Sequence, residues 1–451
     1  MAVVESKPEL NMSVAPRPIW PGGHMGVFAR DRLGFMERTA REYGDIVRLD
    51  FNGYPVFLVS SPQVIEEVLV LKNRSFTKGR GLGRTRRILG NGLLTSEGEF
   101  WRRQRRLAQP AFHARRIEAY GEIMFELTQK MLASWQEGQV RDVHQDMMTL
   151  TLAIVARALF GFDIDGEGAR RVRAALEVGL HHFNHQGRTF YLIPEWLPTP
   201  ENLRFEKAAR TLDEVVYEII RQHRAQGTPS EDLLSMLLEA RDEDGSQMTD
   251  TQVRDEVMTL FLAGHETTAN ALSWAWMLLA QNPEAEGRLH AELDAVLEGR
   301  PPRVSDLVNL PYTQNTITEV LRLYPPAYVI ARQAAEEVQI GHVILPAGST
   351  VLMSQWVVQR DPRWYDEPER FRPERWEGDF SRRIPDFAYF PFGGGPRLCI
   401  GKPFALQEAA LVLASGAQRY RLALEPGHKI AMQTSITLRP RRGIFVRLYA
   451  R

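Results

Sequence analysis

Apolar residues recur with a helical period over most of the chain, and only short runs alternate as strands do. Phe100 to Gly245 carry the 3.6-residue spacing of amphipathic helices almost throughout, with breaks at Gly161 and at Pro194–Pro200. Two strand-like runs near the start, Asp45–Phe51 and Tyr54–Val59, are separated by an Asn-Gly pair, which is a strong hairpin signal. The pattern therefore predicts a mainly α fold with a minor β component.

The second half of the chain holds the clearest helix signals. Thr249 and Gln252 form a capping box, which predicts the start of a long central helix that runs to about Gln281. A further helix is expected from Pro311 to Tyr324, where a Pro-Pro pair stops it. A last helix begins just after Cys399. The sequence therefore predicts these three helices in the second half of the chain.

Other segments predict irregular or extended structure. Residues 72–95 are rich in glycine and arginine and are predicted as one long loop. Val338–Ser354 indicates short strands with a turn at Pro346-Ala347-Gly348. Residues 361–398 contain several prolines and no sustained period, so we predict a loop there as well.

Composition narrows the class of protein. The 451 residues carry 56 basic and 56 acidic side chains, and this zero net charge argues against a nucleic-acid binder. No shift in composition divides the chain, so we expect one large domain over 24–451 after a proline-rich segment at 1–23. That segment lacks the apolar stretch of a signal peptide or membrane anchor, which predicts a soluble, cytoplasmic protein.

The chain has one cysteine, Cys399, inside a glycine-rich stretch that begins at Phe392. A lone thiol forms no disulfide within the chain, and it suits a metal whose other positions a prosthetic group already fills, as in haem. The helix expected just after Cys399 would lower the pKa of the thiol through its dipole. Arg397 could neutralise a carboxylate such as a haem propionate. A buried structural cysteine is the simpler alternative for a single thiol.

The stretch Phe-x-x-Gly-x-Arg-x-Cys-x-Gly resembles the haem-ligand loop of the cytochrome P-450 family of haem-thiolate monooxygenases. Four other stretches resemble motifs of the same family in the same order. They are Trp101 with Arg105, Ala263-Gly264-His265-Glu266-Thr267-Thr268, Glu319-Val320-Leu321-Arg322, and Phe371-Arg372-Pro373-Glu374-Arg375-Trp376. The resemblance implies a single haem-thiolate domain whose long central helix lies over the haem.

The resemblance also assigns roles to individual residues. Cys399 would be the axial ligand of the iron of haem b (iron protoporphyrin IX). The other haem contacts it implies are Trp101, Arg105, Gly264, Arg332, Phe392 and Arg397. Glu319, Arg322 and Arg375 would form a buried structural network, with Arg372 as a possible substitute for Arg375. Removing one partner of such a network would cost about 3–5 kcal/mol, because a charge would remain buried alone.

Ala263 and Gly264 are small residues in an otherwise bulky helix. Glycine within a helix costs roughly 1 kcal/mol relative to alanine, so we expect a compensating gain, which would be room for a flat ligand and dioxygen. Thr267 can bond back to a helix carbonyl or hold a water. As catalytic residues, Thr267 would steady dioxygen and its water, and Glu266 would relay protons from solvent. A plain polar helix face is the alternative for this pair.

The resemblance implies a lipophilic small-molecule substrate and dioxygen. Fatty acid, terpenoid, carotenoid, steroid and polyketide are all compatible, and the arginines near 80–87 favour a fatty acid slightly. Family topology places the loop around Leu82–Leu94 and the stretch Phe183–Leu197 among the pocket walls. Since no flavin or iron–sulfur segment follows the haem domain, a separate electron donor is expected.

Residues 72–116 are strongly basic, and no aromatic residues alternate with the charges as in a base-stacking surface. The segment therefore predicts docking of an acidic ferredoxin or flavodoxin-type donor with its NAD(P)H reductase rather than nucleic acid.

Three other functions compete with a monooxygenase. A peroxide-driven haem-thiolate peroxygenase would not need the Glu266–Thr267 pair. A haem-binding sensor or carrier without turnover would need neither this pair nor a donor surface. A hydrolase with Cys399 as nucleophile and a histidine such as His113 as base would be colourless when pure.

Overall fold

A computed structural model describes residues 12–16, 22–83, 85–164, 166–188, 196–226, 232–241 and 245–451. The chain forms two compact units. The first unit contains residues 1–80, 327–370 and 381–399, and the second contains residues 81–326, 371–380 and 400–451. Most of the predicted 1–23 segment lies outside the described residues, so its boundary stays a prediction.

The first unit is built on a six-stranded sheet. Its strands follow one another across the sheet in the order Met12–Val14, Ile46–Phe51, Tyr54–Val59, Thr350–Met353, Ile330–Ala334 and Phe76–Lys78. The predicted hairpin is confirmed: Phe51 pairs with Tyr54, and Asn52 and Gly53 between them both have positive φ. A separate two-stranded sheet joins Val338–Ile340 to Val343–Leu345.

The helices of the first unit are short. They are Met25–Arg30, Arg32–Tyr43, Pro62–Glu66, a π-helical turn at Glu67–Leu71, Asn73–Ser75, Gln355–Val358 and Gly395–Arg397. Aliphatic side chains of the sheet and of Pro62–Leu71 pack into one buried cluster that includes Ile46, Val59, Ile65 and Val351. This core holds the strand Ile330–Ala334, which carries Arg332.

The second unit is mainly helical. Two helices, Arg80–Gly83 and Phe380–Arg383, lie where the chain passes from one unit to the other. The remaining helices are Arg86–Leu89, Gly98–Ala108, Gln109–Phe112, Ala114–Leu132, Val143–Phe160, Gly166–Arg188, Pro200–Gln226, Leu233–Glu239, Asp250–Gln281, Pro283–Leu297, Val304–Asn309, Pro311–Leu323, Pro373–Trp376 and Lys402–Arg419.

The longest of these, Asp250–Gln281, is the predicted central helix. Its capping box forms in full: the Gln252 amide donates to Thr249 Oγ1 at 3.2 Å, and Gln252 Oε1 accepts the Thr249 amide at 2.8 Å. Nearly every residue from Val253 to Leu279 is buried, as expected for a helix that is enclosed by other elements. The prediction of a mainly α fold with a minor β component is confirmed.

Small antiparallel sheets complete the second unit. Phe445–Ala450 lies between Tyr420–Leu424 and Val140–Asp142, and Met432–Thr434 pairs with Leu438–Pro440. The strand Val140–Asp142 falls inside the stretch predicted as helical, so that part of the prediction is wrong. Its partner is about three hundred residues away in sequence, and local periodicity carries no signal of so distant a pairing.

The prediction of a single loop over residues 72–95 is also wrong in part. Phe76–Lys78 is the edge strand of the first unit's sheet, paired with Ile330–Ala334, and Arg86–Leu89 is a short helix. Phe76 is buried in the core cluster, which stabilises a strand too short to show alternation. The strand Ile330–Ala334 itself begins before the predicted strand region at 338–354.

Candidate active site

The single cysteine ends a loop of the first unit, residues 392–399, which we name the cysteine loop. Cys399 is exposed. Its amide donates to the Phe392 carbonyl at 3.0 Å, and the Leu398 amide donates to the Gly395 carbonyl at 3.0 Å. These bonds close the loop on itself and hold the thiol at its end.

Gly395 explains why the cysteine loop needs glycine. Its φ is +65°, and a Cβ there would lie 2.0 Å from the Leu69 carbonyl oxygen. A larger residue would clash with backbone and would adopt a strained conformation. Leu69 belongs to the π-helical turn Glu67–Leu71, so the cysteine loop packs closely against that turn.

Two further predicted haem contacts lie in the first unit. Arg332 is on the strand Ile330–Ala334 and donates to the Ala331 carbonyl at 3.0 Å. Arg397 is in the short 3-10 helix Gly395–Arg397 of the cysteine loop. Both are half-buried, as is Phe392. Their contact with a haem propionate or ring stays a prediction.

The central helix, in the second unit, has one place where burial is interrupted. Between Val253 and Leu279 only Leu262, Ala263, Gly264 and Thr267 are not buried. Ala263 and Thr267 are four residues apart and share a helix face. The Thr267 hydroxyl donates to the Ala263 carbonyl at 2.7 Å. We name this accessible stretch the open face of the central helix.

Gly264 belongs to the open face and also meets a neighbouring helix. A Cβ at Gly264 would lie 3.0 Å from Cγ2 of Val155, which is on the helix Val143–Phe160. A glycine here therefore also permits close packing of two helices. The haem contact predicted for Gly264 stays a prediction.

Glu266 is buried and bonded. Its Oε1 accepts the Thr437 hydroxyl at 2.7 Å, and Asn270 Nδ2 donates to Thr437 Oγ1 at 3.3 Å. Arg439 Nη1 lies 4.0 Å from the same Glu266 oxygen, and its side chain is 20% exposed. Burial raises the pKa of Glu266, while the Thr437 bond and the Arg439 charge lower it. Glu266 thus has a charged neighbour that reaches solvent.

Glu319 and Arg322 form a two-point ion pair inside the second unit, with both N···O distances 2.8 Å and both side chains 0% exposed. Glu319 also accepts the Arg372 amide at 3.0 Å and Trp376 Nε1 at 2.8 Å. Arg375 Nε lies 3.5 Å from Glu319 Oε1. The structure therefore brings the three predicted network residues together, with Arg372 contributing its backbone.

Trp101 and Arg105 lie on the helix Gly98–Ala108 and share one face. Trp101 is buried, and Arg105 is half-buried, with its Nε donating to Gln109 Oε1 at 3.2 Å. Their predicted contact with haem propionates stays a prediction.

Two residues of the site were not predicted. Trp376 donates a hydrogen bond to Glu319. It follows the predicted network residue Arg375 in sequence, and a tryptophan N–H usually finds a hydrogen-bond partner when it is buried, so the sequence could have indicated this contact. Thr437 bonds Glu266 across 171 residues of sequence, and no local pattern marks it.

The donor set fits a haem group. Among the described residues, no group of three or more His, Cys, Asp or Glu side chains could hold a metal ion. A single accessible thiol such as Cys399 is suited to a metal whose other ligands come from a prosthetic group, as in haem. In the first unit, Arg332 and Arg397 are cations of the kind that carboxylates such as haem propionates need.

These features are those expected of a haem-thiolate protein, and comparison with known proteins identifies the family. A family model described as cytochrome P-450 matches residues 14–447. Cyclooctatin synthase of Streptomyces melanosporofaciens is 39% identical over 96% of this chain and 95% of its own length. Cyclooctat-9-en-7-ol 5-monooxygenase of the same organism is 39% identical over 90% of this chain and 88% of its length.

Pentalenene oxygenase of Streptomyces avermitilis is 37% identical over 97% of both chains. The chain belongs to the cytochrome P-450 family, and it is a monooxygenase with a haem-iron cofactor. The predicted family, fold class and enzyme class are confirmed. In the part of the chain that the structure describes, no helix combines the length and apolar character needed to cross a membrane.

Proposed function

We propose that the protein hydroxylates a lipophilic terpenoid. The observation that carries this proposal is similarity over nearly the whole chain to cyclooctat-9-en-7-ol 5-monooxygenase and pentalenene oxygenase, two proteins whose names state oxygenation and which act on terpenoids. The proposal also includes haem b as the cofactor, and the reducing cytoplasm as the compartment in which an accessible Cys399 thiol persists.

The side chain of Arg87 argues against a fatty-acid substrate. Arg87 Nε and Nη2 donate to the two carboxylate oxygens of Glu206 at 3.0 and 2.6 Å. Arg86 Nη2 donates to the Thr95 carbonyl at 3.1 Å. Arg87 is thus already paired with a carboxylate, which removes one reason for expecting an acidic substrate. A neutral terpenoid needs no such anchor.

When bound, haem supplies the redox chemistry that places one atom of dioxygen into a C–H bond, and a thiolate ligand favours O–O cleavage. The residues that would hold it are Cys399 at the iron, Trp101, Arg105, Arg332 and Arg397 at the propionates, and Phe392 and Gly264 at the ring. The protein itself contributes substrate position, exclusion of water and delivery of protons.

Glu266 and Thr267 would deliver those protons. The carboxyl of Glu266 holds a proton more readily than an exposed glutamate, because burial raises its pKa. Arg439 connects the carboxyl to solvent, and the Thr267 hydroxyl is on the open face. Exchanging Thr267 for alanine should divert electrons into hydrogen peroxide. Unchanged coupling of reductant to product would contradict the role.

A separate ferredoxin or flavodoxin-type donor, with its NAD(P)H reductase, would bring the electrons. Basic side chains of the second unit that support this are exposed: Arg102, Arg106, Arg115 and Lys402. Attraction between such a surface and an acidic donor is screened by salt. Reduction rates should therefore fall steeply as ionic strength rises, and rates insensitive to salt would remove this part of the proposal.

An optical titration tests the substrate class. Purified holoenzyme is titrated with a panel of cyclic terpene hydrocarbons and alcohols, and in parallel with fatty acids of matched carbon number. Terpenoids should shift the iron spin state and yield hydroxylated products when a donor and reductase are supplied. Spin shifts and products from fatty acids alone would contradict the proposal.

A further inference from the structure

Two neighbouring acids of the central helix hold the backbone of a loop. Glu256 Oε2 accepts the Leu93 amide at 2.9 Å, and Asp255 Oδ2 accepts the Asn91 amide at 2.7 Å. The loop also packs closely on the helix, since a Cβ at Gly92 would lie 2.2 Å from Thr259 Oγ1. We name residues 91–95 the clamped loop.

Glu256 is an unusual residue for an anchor. Its side chain is 1% exposed, and its Oε1 has no hydrogen-bond partner among the described residues. Burial raises the pKa of Glu256 to about 8, the Leu93 amide acts against this, and the Asp255 charge adds to it. The carboxyl is thus mostly protonated at neutral pH, and glutamine is a close mimic of it.

Helix geometry places the clamped loop beside the open face. Glu256 precedes Ala263 by seven residues, and seven residues of helix turn back to within roughly 20° of the same direction over about 10 Å. Thr267 lies four residues further on the same face. The Leu93 amide is bonded to Glu256, so the backbone of Leu93, with the half-buried Leu94 next to it in sequence, lies against the same helix face about two turns before Ala263.

A chain of ion pairs stiffens the clamp. Arg254 Nη1 donates to Asp255 Oδ1 at 2.9 Å, and Arg254 Nε donates to Asp213 at 2.8 Å. Oδ2 of Asp213 lies 3.7 Å from Nη1 of Arg87. Arg87 also donates a hydrogen bond to Glu206. The central helix, the helix Pro200–Gln226 and the short helix Arg86–Leu89 are thereby connected on the side where the clamped loop begins.

We propose that Glu256 is a positioning residue for substrate selection: through the Leu93 amide it fixes Leu93 and Leu94 as an apolar wall beside the open face. The inference rests on the proposed function in one respect, namely that the open face borders the substrate site. The proposal implies that the bond between Glu256 and the Leu93 amide determines how tightly large apolar molecules bind beside the open face. It assigns Glu256 no contact with the substrate or the haem.

Azoles of graded size test the proposal without knowledge of the substrate. Imidazole and clotrimazole both bind haem iron and are titrated optically against the holoenzyme and three variants. Glu256→Leu cannot accept the Leu93 amide, Glu256→Asp is too short to reach it, and Glu256→Gln keeps the acceptor. A loop that must be ordered on binding weakens a large ligand.

Glu256→Leu and Glu256→Asp should each bind clotrimazole about tenfold more weakly, while their affinity for imidazole stays within about twofold. Glu256→Gln should bind both azoles as the natural protein does. Glu256→Asp keeps a carboxyl group at this position, so it provides the test if Glu256→Leu does not fold. Equal changes for both azoles, no change in either short variant, or a Gln variant that behaves like the Asp variant would overturn the proposal.

A failure of the proposed function would look different. Azoles coordinate the iron whatever the natural substrate is, so an absence of spin shifts with terpenoids would refute the substrate class and leave the azole result intact. Conversely, terpenoid hydroxylation by a Glu256→Asp variant with unchanged azole selectivity would refute the clamp alone.

Discussion

The second unit contains two glutamates that are equally buried and yet differ completely in their surroundings. Glu319, on the helix Pro311–Leu323, and Glu408, on the helix Lys402–Arg419, are both 0% exposed. Glu319 receives N–H groups from Arg322, from Trp376 and from the Arg372 backbone. Neither carboxyl oxygen of Glu408 has a hydrogen-bond partner among the described residues.

The contrast shows that burial alone does not say what an acid does. Burial without partners raises the pKa of Glu408 well above the ordinary value, because an apolar environment favours the neutral carboxyl over the charged one. Glu319 faces the fully buried guanidinium of Arg322, and each of the two makes the other's burial tolerable. Glu266, with one hydroxyl donor and a distant arginine, lies between these extremes.

The largest effect is expected at Glu319. Glu319→Gln leaves the Arg322 charge buried without an anion, which should lower the free energy of unfolding by about 3–5 kcal/mol. Urea unfolding of the purified protein measures this, together with the fraction that retains haem. Glu408→Gln is the matched control, because it changes an equally buried acid that has no ionic partner. A Glu319→Gln protein as stable as this control would contradict the network.

At Glu266 the expected effect is on the reaction rather than on stability. Glu266→Gln keeps an acceptor for the Thr437 hydroxyl but cannot give up a proton, so product formation should fall about 100-fold. The free energy of unfolding should change by less than about 1 kcal/mol. Rates of product formation and urea unfolding on the same preparation separate the two effects. An undiminished rate would exclude Glu266 as the proton relay.

Much of this comparison could be predicted from sequence where partners are close along the chain. The i,i+3 spacing of Glu319 and Arg322 and the capping box at Thr249 and Gln252 are local signals, and the structure shows both contacts. Membership of the P-450 family followed from motifs at five places. The two units, by contrast, were not foreseen, because each combines segments that lie far apart in sequence.

The partners of the other acids could not be predicted. Glu266 meets Thr437, and Glu256 meets Leu93, over 171 and 163 residues of sequence. Hydrophobic periodicity says which face of a helix is buried but not which loop covers it. The same holds for Glu408: the sequence predicted that it lies in a helix, but not that its carboxyl group has no hydrogen-bond partner among the described residues.

A smaller effect is expected at Glu408, and it should depend on pH. The folded protein keeps the Glu408 proton, whereas the unfolded chain loses it above its ordinary pKa, so rising pH favours unfolding. Glu408→Gln has no such proton, and its advantage in stability should grow between about pH 5 and about pH 8. Urea unfolding across this range measures the difference. A constant difference would show that Glu408 is ionised in the fold.

The smallest effect is expected at His223, whose partner Asp232 is another buried acid. Its two ring nitrogens face acceptors, the Asp232 carboxylate at 3.2 Å and the Ile219 carbonyl at 3.1 Å, so both should carry protons. The Asp232 bond is the main cause of a raised pKa at His223. The stabilisation that the protonated His223 ring gives the fold is complete below about pH 6.5, the ordinary pKa of histidine in the unfolded chain. It is lost as the pH rises through the higher pKa that His223 has in the folded protein.

His223→Gln should therefore be less stable than the natural protein at about pH 6 and equally stable at about pH 9. Thermal unfolding at the two pH values measures this difference. A His223 pKa at or below the ordinary value, read by NMR, would contradict the predicted ion pair.

The central claim is that the Cys399 thiolate is the ligand of haem iron. The most direct test is the absorption spectrum of the reduced holoenzyme under carbon monoxide, compared with that of Cys399→His. The natural protein should give a Soret maximum displaced far to the red, as sulfur ligation requires, and the histidine variant should lose this displacement while still binding haem. A folded, haem-loaded natural protein without the displaced band, or a variant that keeps it, would contradict the account.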